Sequence, residues 1–284
     1  MRKKIVPMFV TVRLMGGLGN QLFQIFTMMA YSLQYGHSTI LWRKEKLENR
    51  STYWETMFSE LQNILTTNSD LSMFKVYSEP FYHYNALPQI STDFELYGYF
   101  QSPRYFSDYE DLIYQKLHLQ EKQKDAQLLF SSSGTVAMHF RLGDYKNLPE
   151  YHPILPLLYY EKALAKLTET YPTVSQVLCF FEEEDGEFVF RERIQPLQTQ
   201  FPLLEFLRID TSISEWQQLL IMSGCQHFII ANSTFSWWGA YLGTTLNKKT
   251  SFNSQIYYPQ TWFGPAMGDK YVQDLFPPHW NCIK

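Results

Sequence analysis

From residue 135 onward, short apolar runs alternate with stretches whose apolar side chains recur at helical spacing, and this alternation leaves few folds open. Strand-like runs fall at 135–140, 174–181, 203–209 and 227–231. Helical stretches fall at 156 to about 170, at 186–195, and from the capping residue Ser214 to about Ser223. Strands separated by helices cannot pair as hairpins, so they must lie parallel, with the helices crossing over to cover both faces. The start of the chain repeats the unit. Residues 8–14, Met-Phe-Val-Thr-Val-Arg-Leu, read as a parallel strand, and Gly16-Gly17-Leu18-Gly19-Asn20-Gln21 follows at once. Next comes a helix carrying Leu22, Phe23, Phe26, Ala30 and Leu33 on one stripe, closed by Gly36, and then a strand from Thr39 to Trp42. Another strand starts at 93 and ends at Gln101, after which Ser102 caps a helix that begins at Pro103 and extends to about His118. The polar, Lys/Gln-rich stretch 120–127 and Ser131-Ser132-Ser133-Gly134 read as the link between two domains, 1–133 and 134–284. The expected architecture is α/β, with two Rossmann-like domains whose parallel sheets face each other across a cleft.

At 284 residues the chain is long enough for two such domains, and 45 % hydrophobic residues supply their cores. A formal net charge of −4 gives no reason to expect nucleic acid or an anionic membrane as partner. The basic start Arg2-Lys3-Lys4 is followed by an apolar run, with Pro7 and Thr11 in it, that is too short to span a bilayer and lacks a cleavage site. That run is read as a first strand, with no transmembrane segment, a cytoplasmic location and at most peripheral contact with a membrane. Cys179, Cys225 and Cys282 are odd in number and scattered, which speaks against a disulfide framework, and no Cys/His pair has metal-ligand spacing. The sequons Asn49-Arg50-Ser51 and Asn232-Ser233-Thr234 matter only in a secretory compartment and are taken as chance matches.

Three stretches carry chemistry. In Thr135-Val-Ala-Met-His-Phe-Arg-Leu-Gly-Asp-Tyr145, the run Val136 to Met138 reads as a buried strand that delivers His139, Arg141 and Asp144 to a Gly-softened loop. Ligands of α/β sheets sit beyond the carboxyl ends of the strands. Arg141 is a permanent cation with a planar fork of donors that suits phosphate, while a plain Arg141–Asp144 pair explains the spacing equally well. The glycine turn at 16–19 bares backbone N–H groups at a helix start, an arrangement that holds anions but also serves tight geometry alone. Asn232-Ser233-Thr234-Phe235 joins a strand to a helix and offers two hydroxyls and helix-start amides toward the crevice of Arg141, which suits a diphosphate. A Ser/Thr cap with Phe235, Trp237 and Trp238 packing inside explains the helix start but not the partner motif. The acidic turn Glu182-Glu183-Glu184-Asp185 has the composition of a divalent-metal clamp. Four consecutive acids point in different directions, so the expectation is a solvated turn without metal, one acid being available to a guanine base. Residues 43–90 show no pattern, and Phe81-Tyr82-His83-Tyr84 suits a sugar-stacking surface or a core.

Together these stretches resemble the α-1,2-fucosyltransferases, family 11 of the glycosyltransferases, over nearly the whole chain. Gly16-Gly-Leu-Gly-Asn-Gln-Leu-Phe-Gln24 resembles the family's opening turn, and Tyr99-Phe-Gln-Ser-Pro-Arg-Tyr-Phe106 resembles its Gln-Ser…Tyr-Phe segment. His139-x-Arg141-x-Gly143-Asp144-Tyr145 is similar to the donor-binding motif shared by several fucosyltransferase families. Residues 222–242 carry the most specific match, and Pro259-Gln-Thr-Trp-Phe263 and Pro277-Pro-His-Trp280 resemble the closing segments. The chain departs from the family pattern at Leu142, where a second arginine is frequent, and at Gln218, where an acid is common. The turn 182–185 only loosely follows the usual Ser-Asp-Asp.

The resemblance implies a GT-B-like fold, with 1–133 as the acceptor-side domain and 134–284 as the donor domain. It implies inverting, metal-independent transfer of L-fucose from GDP-β-L-fucose to the 2-hydroxyl of a galactose-containing acceptor glycan, without a cofactor. The partners are then a nucleotide sugar and that glycan. Breaking the sugar–phosphate bond builds negative charge on the diphosphate, and donors matched to that charge accelerate the reaction. Arg141 and the segment of Asn232, Ser233, Thr234 and Phe235 are assigned that role. Gly19 and Asn20 would approach the same phosphates from the facing domain, and His139 would orient the loop. Asp144 is assigned as general base, with Glu95 and Asp93 as rivals. Two other readings stand beside this one: a transferase for another GDP-sugar or acceptor, and a catalytically inactive carbohydrate-binding protein of the same fold.

Overall fold

The computed structural model describes residues 8–47, 50–67, 73–132, 134–248, 253–268 and 272–284. Arg2, Lys3, Lys4, Pro7, Asn49 and Ser133 lie outside the described residues. The chain divides into two compact units, residues 1–119 with 271–277, and residues 120–270 with 278–284. Each is α/β and built on a parallel sheet.

In the N-terminal unit the strands run in the order Ser38–Thr39, Phe9–Val12, Phe94–Tyr97, Lys75–Ser78, every pair parallel. Helix Leu18–Tyr35 connects the first two strands in sequence and ends on Gly36, whose φ of 74° is open to glycine at little cost. Gln21 and Gln24 are fully buried on this helix beside Leu22, Phe23 and Phe26. They tie down the loops around it. Gln24 Oε1 accepts from Met15 N–H at 3.0 Å, and its Nε2 donates to the Gly98 carbonyl at 3.0 Å. Gln21 Nε2 donates to the carbonyls of Gly16 and Ser51 at 3.0 and 2.8 Å. The helix expected from 103 to 118 is broken into Pro103–Tyr105, Ser107–Tyr109 and Glu110–Lys116. Phe106 interrupts it: its φ of −141° leaves the helical region, while its ring packs on Phe23 and Phe26 at 6.1 and 5.2 Å. Burial of that ring outweighs the continuation of one helix.

The C-terminal unit begins with helix Leu119–Leu129, where the sequence suggested a link. It buries Gln123 between Leu119 and Ala126, and its glutamines bond to the unit. Gln123 Nε2 donates to the Ser223 hydroxyl at 2.7 Å, and Gln127 Nε2 reaches the Leu220 and Ile221 carbonyls at 3.3 Å. The compact units divide at 119/120, at the start of this helix, and not at 133/134. The six-stranded sheet runs Glu205–Arg208, Gln176–Phe180, Val136–His139, His227–Ile229, Ile256–Pro259, Asn281–Ile283, again with every pair parallel. Counted along the chain this is the order 3-2-1-4-5-6 of a Rossmann sheet, which reverses direction between its first and fourth strands. The last two strands escape the sequence reading. Helix Leu157–Thr170 covers the sheet with Tyr160, Leu164 and Leu167 against Val136, Met138 and Val177. None of the three cysteines forms a disulfide, and Cys179 and Cys225 are buried. Among the described residues no helix is long and apolar enough to cross a membrane.

Candidate functional site

The strands Val136–His139 and His227–Ile229 flank the reversal point, and the chain leaves both of them toward the same place. After the first strand, Phe140 is buried and Arg141 turns toward the rim, its side chain 16 % exposed. The guanidinium binds two carboxylates, Glu182 through Nη1 and Asp144 through Nη2. It also lies over the Tyr145 ring, 5.0 Å from the centroid. Burial opposes the Arg141 charge, but Glu182, Tyr145 and Asp144 together more than offset it and hold the pKa above its ordinary value. Gly143 allows the turn, with φ of 39° and an approach so close that a Cβ would stand 2.4 Å from Glu182 Oε2. The turn is clamped from below by Asp185, 2 % exposed, which accepts from Gly143 N–H at 2.8 Å and from Lys146 Nζ at 2.5 Å.

After the second strand, Ser233 caps helix Thr234–Lys248. Its Oγ accepts from Phe235 N–H at 3.3 Å, which leaves its own O–H as a donor. The helix is seated by Trp237 and Trp238, both fully buried, with Trp237 stacked on Tyr241 at 4.7 Å. Phe235 does not join that core. It remains half-buried, with its ring 5.6 Å from His139. The two loops are joined directly, because Tyr145 O–H donates to the Asn232 carbonyl at 3.0 Å. The structure thus brings Arg141, Tyr145, His139, Ser233, Thr234 and Phe235 to one end of one sheet.

Several assigned residues have different surroundings from those expected. Asn232 is buried, and its amide nitrogen is spent on the Pro153 and Trp262 carbonyls at 3.0 and 3.2 Å. It latches loops, and its burial is at odds with use of the second sequon. His139 is buried and pushed down to about 3, first by burial and then by the charge of Arg141. It is neutral near pH 7 and adds no positive charge. Leu142 is 4 % exposed and packs in the core, so an arginine there would need a different loop. Gln218 donates to the Ile213 carbonyl at 2.7 Å and so closes its own turn. The acidic turn is not simply solvated. Glu182, Glu184 and Asp185 each bring one carboxylate oxygen within 4.8 Å of the others. Two of the three already hold cations, Arg141 and Lys146, and Glu183 holds Arg208 at 2.7 Å. Asp185 is the positioning residue that sequence reasoning missed, since nothing in a run of four acids marks the one that folds inward.

In the N-terminal unit, Gly16 is left-handed with φ of 74°, and a Cβ there would meet Asn20 Nδ2 at 2.3 Å. Gly19 is buried in the first turn of its helix, whose start has no side-chain cap. Asn20 Oδ1 accepts from Gln101 Nε2 at 2.8 Å, and Gln101 Oε1 accepts from Tyr82 O–H at 2.9 Å. Asp93 accepts from Phe9 N–H at 2.8 Å at the amino end of its strand, opposite the end where ligands bind, which counts against it as a base. Glu95 is held by Arg13 through Nε at 3.2 Å and Nη2 at 2.5 Å.

Two solved structures share this architecture across most of both chains. The fucosyltransferase NodZ from Bradyrhizobium aligns over 84 % of this chain and 94 % of its own, at 12 % identity and a TM-score of 0.50. The Escherichia coli ADP-heptose lipopolysaccharide heptosyltransferase II aligns over 97 % and 90 %, at 9 % identity and a TM-score of 0.51. At such identities the likeness is one of fold, and the fold is GT-B-like. Fold, switch-point site and sequence matches together define a glycosyltransferase. The Escherichia coli O-antigen biosynthesis glycosyltransferase WbnK is 27 % identical over 203 residues, 67 % of this chain and only 62 % of WbnK. An Escherichia coli alpha-1,2-colitosyltransferase is 25 % identical over 263 residues, 82 % of this chain and 87 % of that protein. The sequence profile of glycosyl transferase family 11 matches residues 2–283, and the chain belongs to that family.

Proposed function

We propose that the protein transfers L-fucose from GDP-β-L-fucose to the 2-hydroxyl of a galactose-containing glycan, with inversion and without a metal. The observation that carries this reading is the Tyr145–Asn232 hydrogen bond, which joins the loop of Arg141 to the Ser233-capped helix start at the reversal point of a 3-2-1-4-5-6 sheet, where nucleotides bind. The diphosphate sits against the guanidinium, the Ser233 and Thr234 hydroxyls and the first-turn amides, and exchanges places with the carboxylates that now hold Arg141. Glu182 follows the second strand of the sheet, the position from which an acid reaches a ribose hydroxyl. Beside it, Phe181, Phe190, Phe206 and Arg208 line a recess of about 330 Å³ whose aromatic walls suit a flat base. In the reaction the C1–O bond of the donor breaks with its electron pair on the diphosphate. The acceptor oxygen bonds C1 from the opposite face, and its proton passes to Asp144 once Arg141 has turned to phosphate. Pairing of Glu182 with Arg141 and of Asp185 with Lys146 supports a site that works through side-chain cations.

A second donor has an observation in its favour, the match to a colitosyltransferase over most of both chains. Incubation of labelled GDP-fucose, and separately of labelled GDP-colitose, with a panel of β-galactosides separates the readings. A labelled disaccharide resistant to a β-linkage-specific fucosidase is the expected product. Transfer only from GDP-colitose assigns the other donor. GDP binding without transfer from either marks a carbohydrate-binding protein that has lost its chemistry.

A further inference from the structure

We infer that His152 is a positioning residue for the diphosphate: its ring backs Tyr145, the surface on which Arg141 lies while its donors pass from carboxylates to phosphate. The inference rests on the proposed function for its purpose, and on the C-terminal unit alone for its geometry. The Tyr145 ring carries two contacts. The imidazole of His152 is stacked on it, with centroids 4.6 Å apart and planes 18° from parallel. The Arg141 guanidinium lies 5.0 Å from the same centroid. The other anchors of Arg141 are the carboxylates of Glu182 and Asp144, bound through Nη1 and Nη2. A diphosphate takes those nitrogens and so displaces the carboxylates. Contact with a π face uses no N–H, so it can persist through the exchange. Whatever fixes the phenol ring thus fixes the plane in which the guanidinium meets its ligand.

The segment of His152 is itself tied down on both sides. The Leu148 carbonyl accepts from Tyr151 N–H at 3.0 Å and from His152 N–H at 2.8 Å, and the Tyr151 carbonyl accepts from Gly264 N–H at 2.8 Å. Close approach there demands glycine, since a Cβ at Gly264 would stand 2.3 Å from the Glu150 carbonyl oxygen. The carbonyl of the next residue, Pro153, accepts from the Asn232 side-chain amide at 3.0 Å, and the Asn232 carbonyl accepts from Tyr145 O–H at 3.0 Å. Tyr145, Asn232, Pro153 and His152 therefore close a circuit, and the stacked rings are its last link. His152 Nδ1 is buried with no hydrogen-bond partner among the described residues, so the flat face of the ring, not that nitrogen, makes the contact. Phe263 stands against the imidazole at 5.8 Å. Burial holds the His152 pKa below its ordinary value, with Asp144 acting against that shift and Arg141 in the same sense. A neutral imidazole can share the phenol with Arg141, whereas a charged one would repel the guanidinium.

Calorimetry of GDP on the full chain tests the inference. His152→Ala should weaken GDP about threefold to tenfold, the worth of one aromatic stack, and His152→Phe should stay within about twofold of wild type. His152→Leu fills the space without a flat face and should bind as weakly as the alanine variant, which covers the case of an alanine variant that does not fold. In an Arg141→Ala background, His152→Ala should add less than about twofold, because its effect passes through the arginine. Equal affinity in wild type and folded His152→Leu, no recovery in His152→Phe, or losses that add to those of Arg141→Ala would each overturn the inference. Additive losses are what a merely structural role gives. An NMR titration of the histidine ring protons reads the link without GDP. Arg141→Ala should raise the His152 pKa, and an unmoved pKa would break the link. A wild type that binds no GDP but shows that rise would keep His152 as the partner of Arg141 and remove the fucosyltransferase reading instead.

Discussion

Arg141 holds two carboxylates, so under the proposed function a diphosphate must compete with Glu182 and Asp144 for the same fork of donors. That competition sets how tightly the turn must be controlled, and Gly143 controls it. An alanine there would take an unfavourable φ and push its methyl into the Glu182 carboxylate. Gly143→Ala should therefore lose about 1–3 kcal/mol of stability in urea unfolding, with a parallel fall in GDP affinity; an unchanged midpoint would show the turn to be permissive. Asp185 tests the clamp from the other side. Asp185→Ala leaves the Gly143 N–H buried without an acceptor and should cost about 1–3 kcal/mol, which denaturant titration reads. Arg141 and Asp144 were legible in the sequence as a pair near phosphate. The other reading of that spacing, the two residues holding each other, is the arrangement the structure has, and the phosphate role belongs to the proposed function. Asp185 was not legible, because its burial is decided by a glycine 42 residues away in the chain.

Helix Thr234–Lys248 shows the same division between what pattern reveals and what packing adds. Its cap, its seated tryptophans and its place after a strand follow from residues 227–242 alone. Its close approach to helix Glu215–Ser223 does not. A Cβ at Gly243 would stand 2.8 Å from the Ser223 carbonyl oxygen, and one at Gly239 2.4 Å from Met222 Sδ. Two substitutions separate the cap from the packing. Ser233→Ala should destabilise by about 1 kcal/mol and also weaken GDP. Gly243→Ala should destabilise by about 1–3 kcal/mol while leaving GDP affinity, measured under native conditions, within about twofold. Equal effects of both on GDP would place the helix start outside the binding site. Helix Leu119–Leu129 was missed because a glutamine, Gln123, fills the buried position between Leu119 and Ala126, and hydrophobic spacing does not register it. The strands Ile256–Pro259 and Asn281–Ile283 were missed because each is short and the first ends on proline, a residue that argues against a strand interior.

For the whole molecule the alternation of runs and helical stripes was enough to give parallel sheets, since crossover connections admit no other pairing. It was not enough to give strand order, which depends on the two late strands. The assembled fold also buries two histidines in their neutral form. His139 is pushed down to about 3 by burial and then by Arg141, and His227 to about 4 by burial. His227 Nδ1 accepts from Gln255 N–H at 3.1 Å, a bond that requires the unprotonated nitrogen. Both lie below the unfolded value near 6.5, so the unfolded chain takes up protons that the folded chain refuses. Their contribution is present above pH 6.5 and lost as pH falls, by about 1.4 kcal/mol per unit for each. Urea unfolding at pH 7 and pH 5 should show His139→Phe losing about 2 kcal/mol less than wild type over that interval; equal losses would mean that His139 protonates freely in the fold.

The central claim is that a guanidinium and a helix start together bind a nucleotide diphosphate. Calorimetric titration of GDP into wild type and into folded Arg141→Ala tests it most directly. Charge-assisted bonds of this kind predict a loss of at least about tenfold in affinity. Binding undiminished in Arg141→Ala would contradict it.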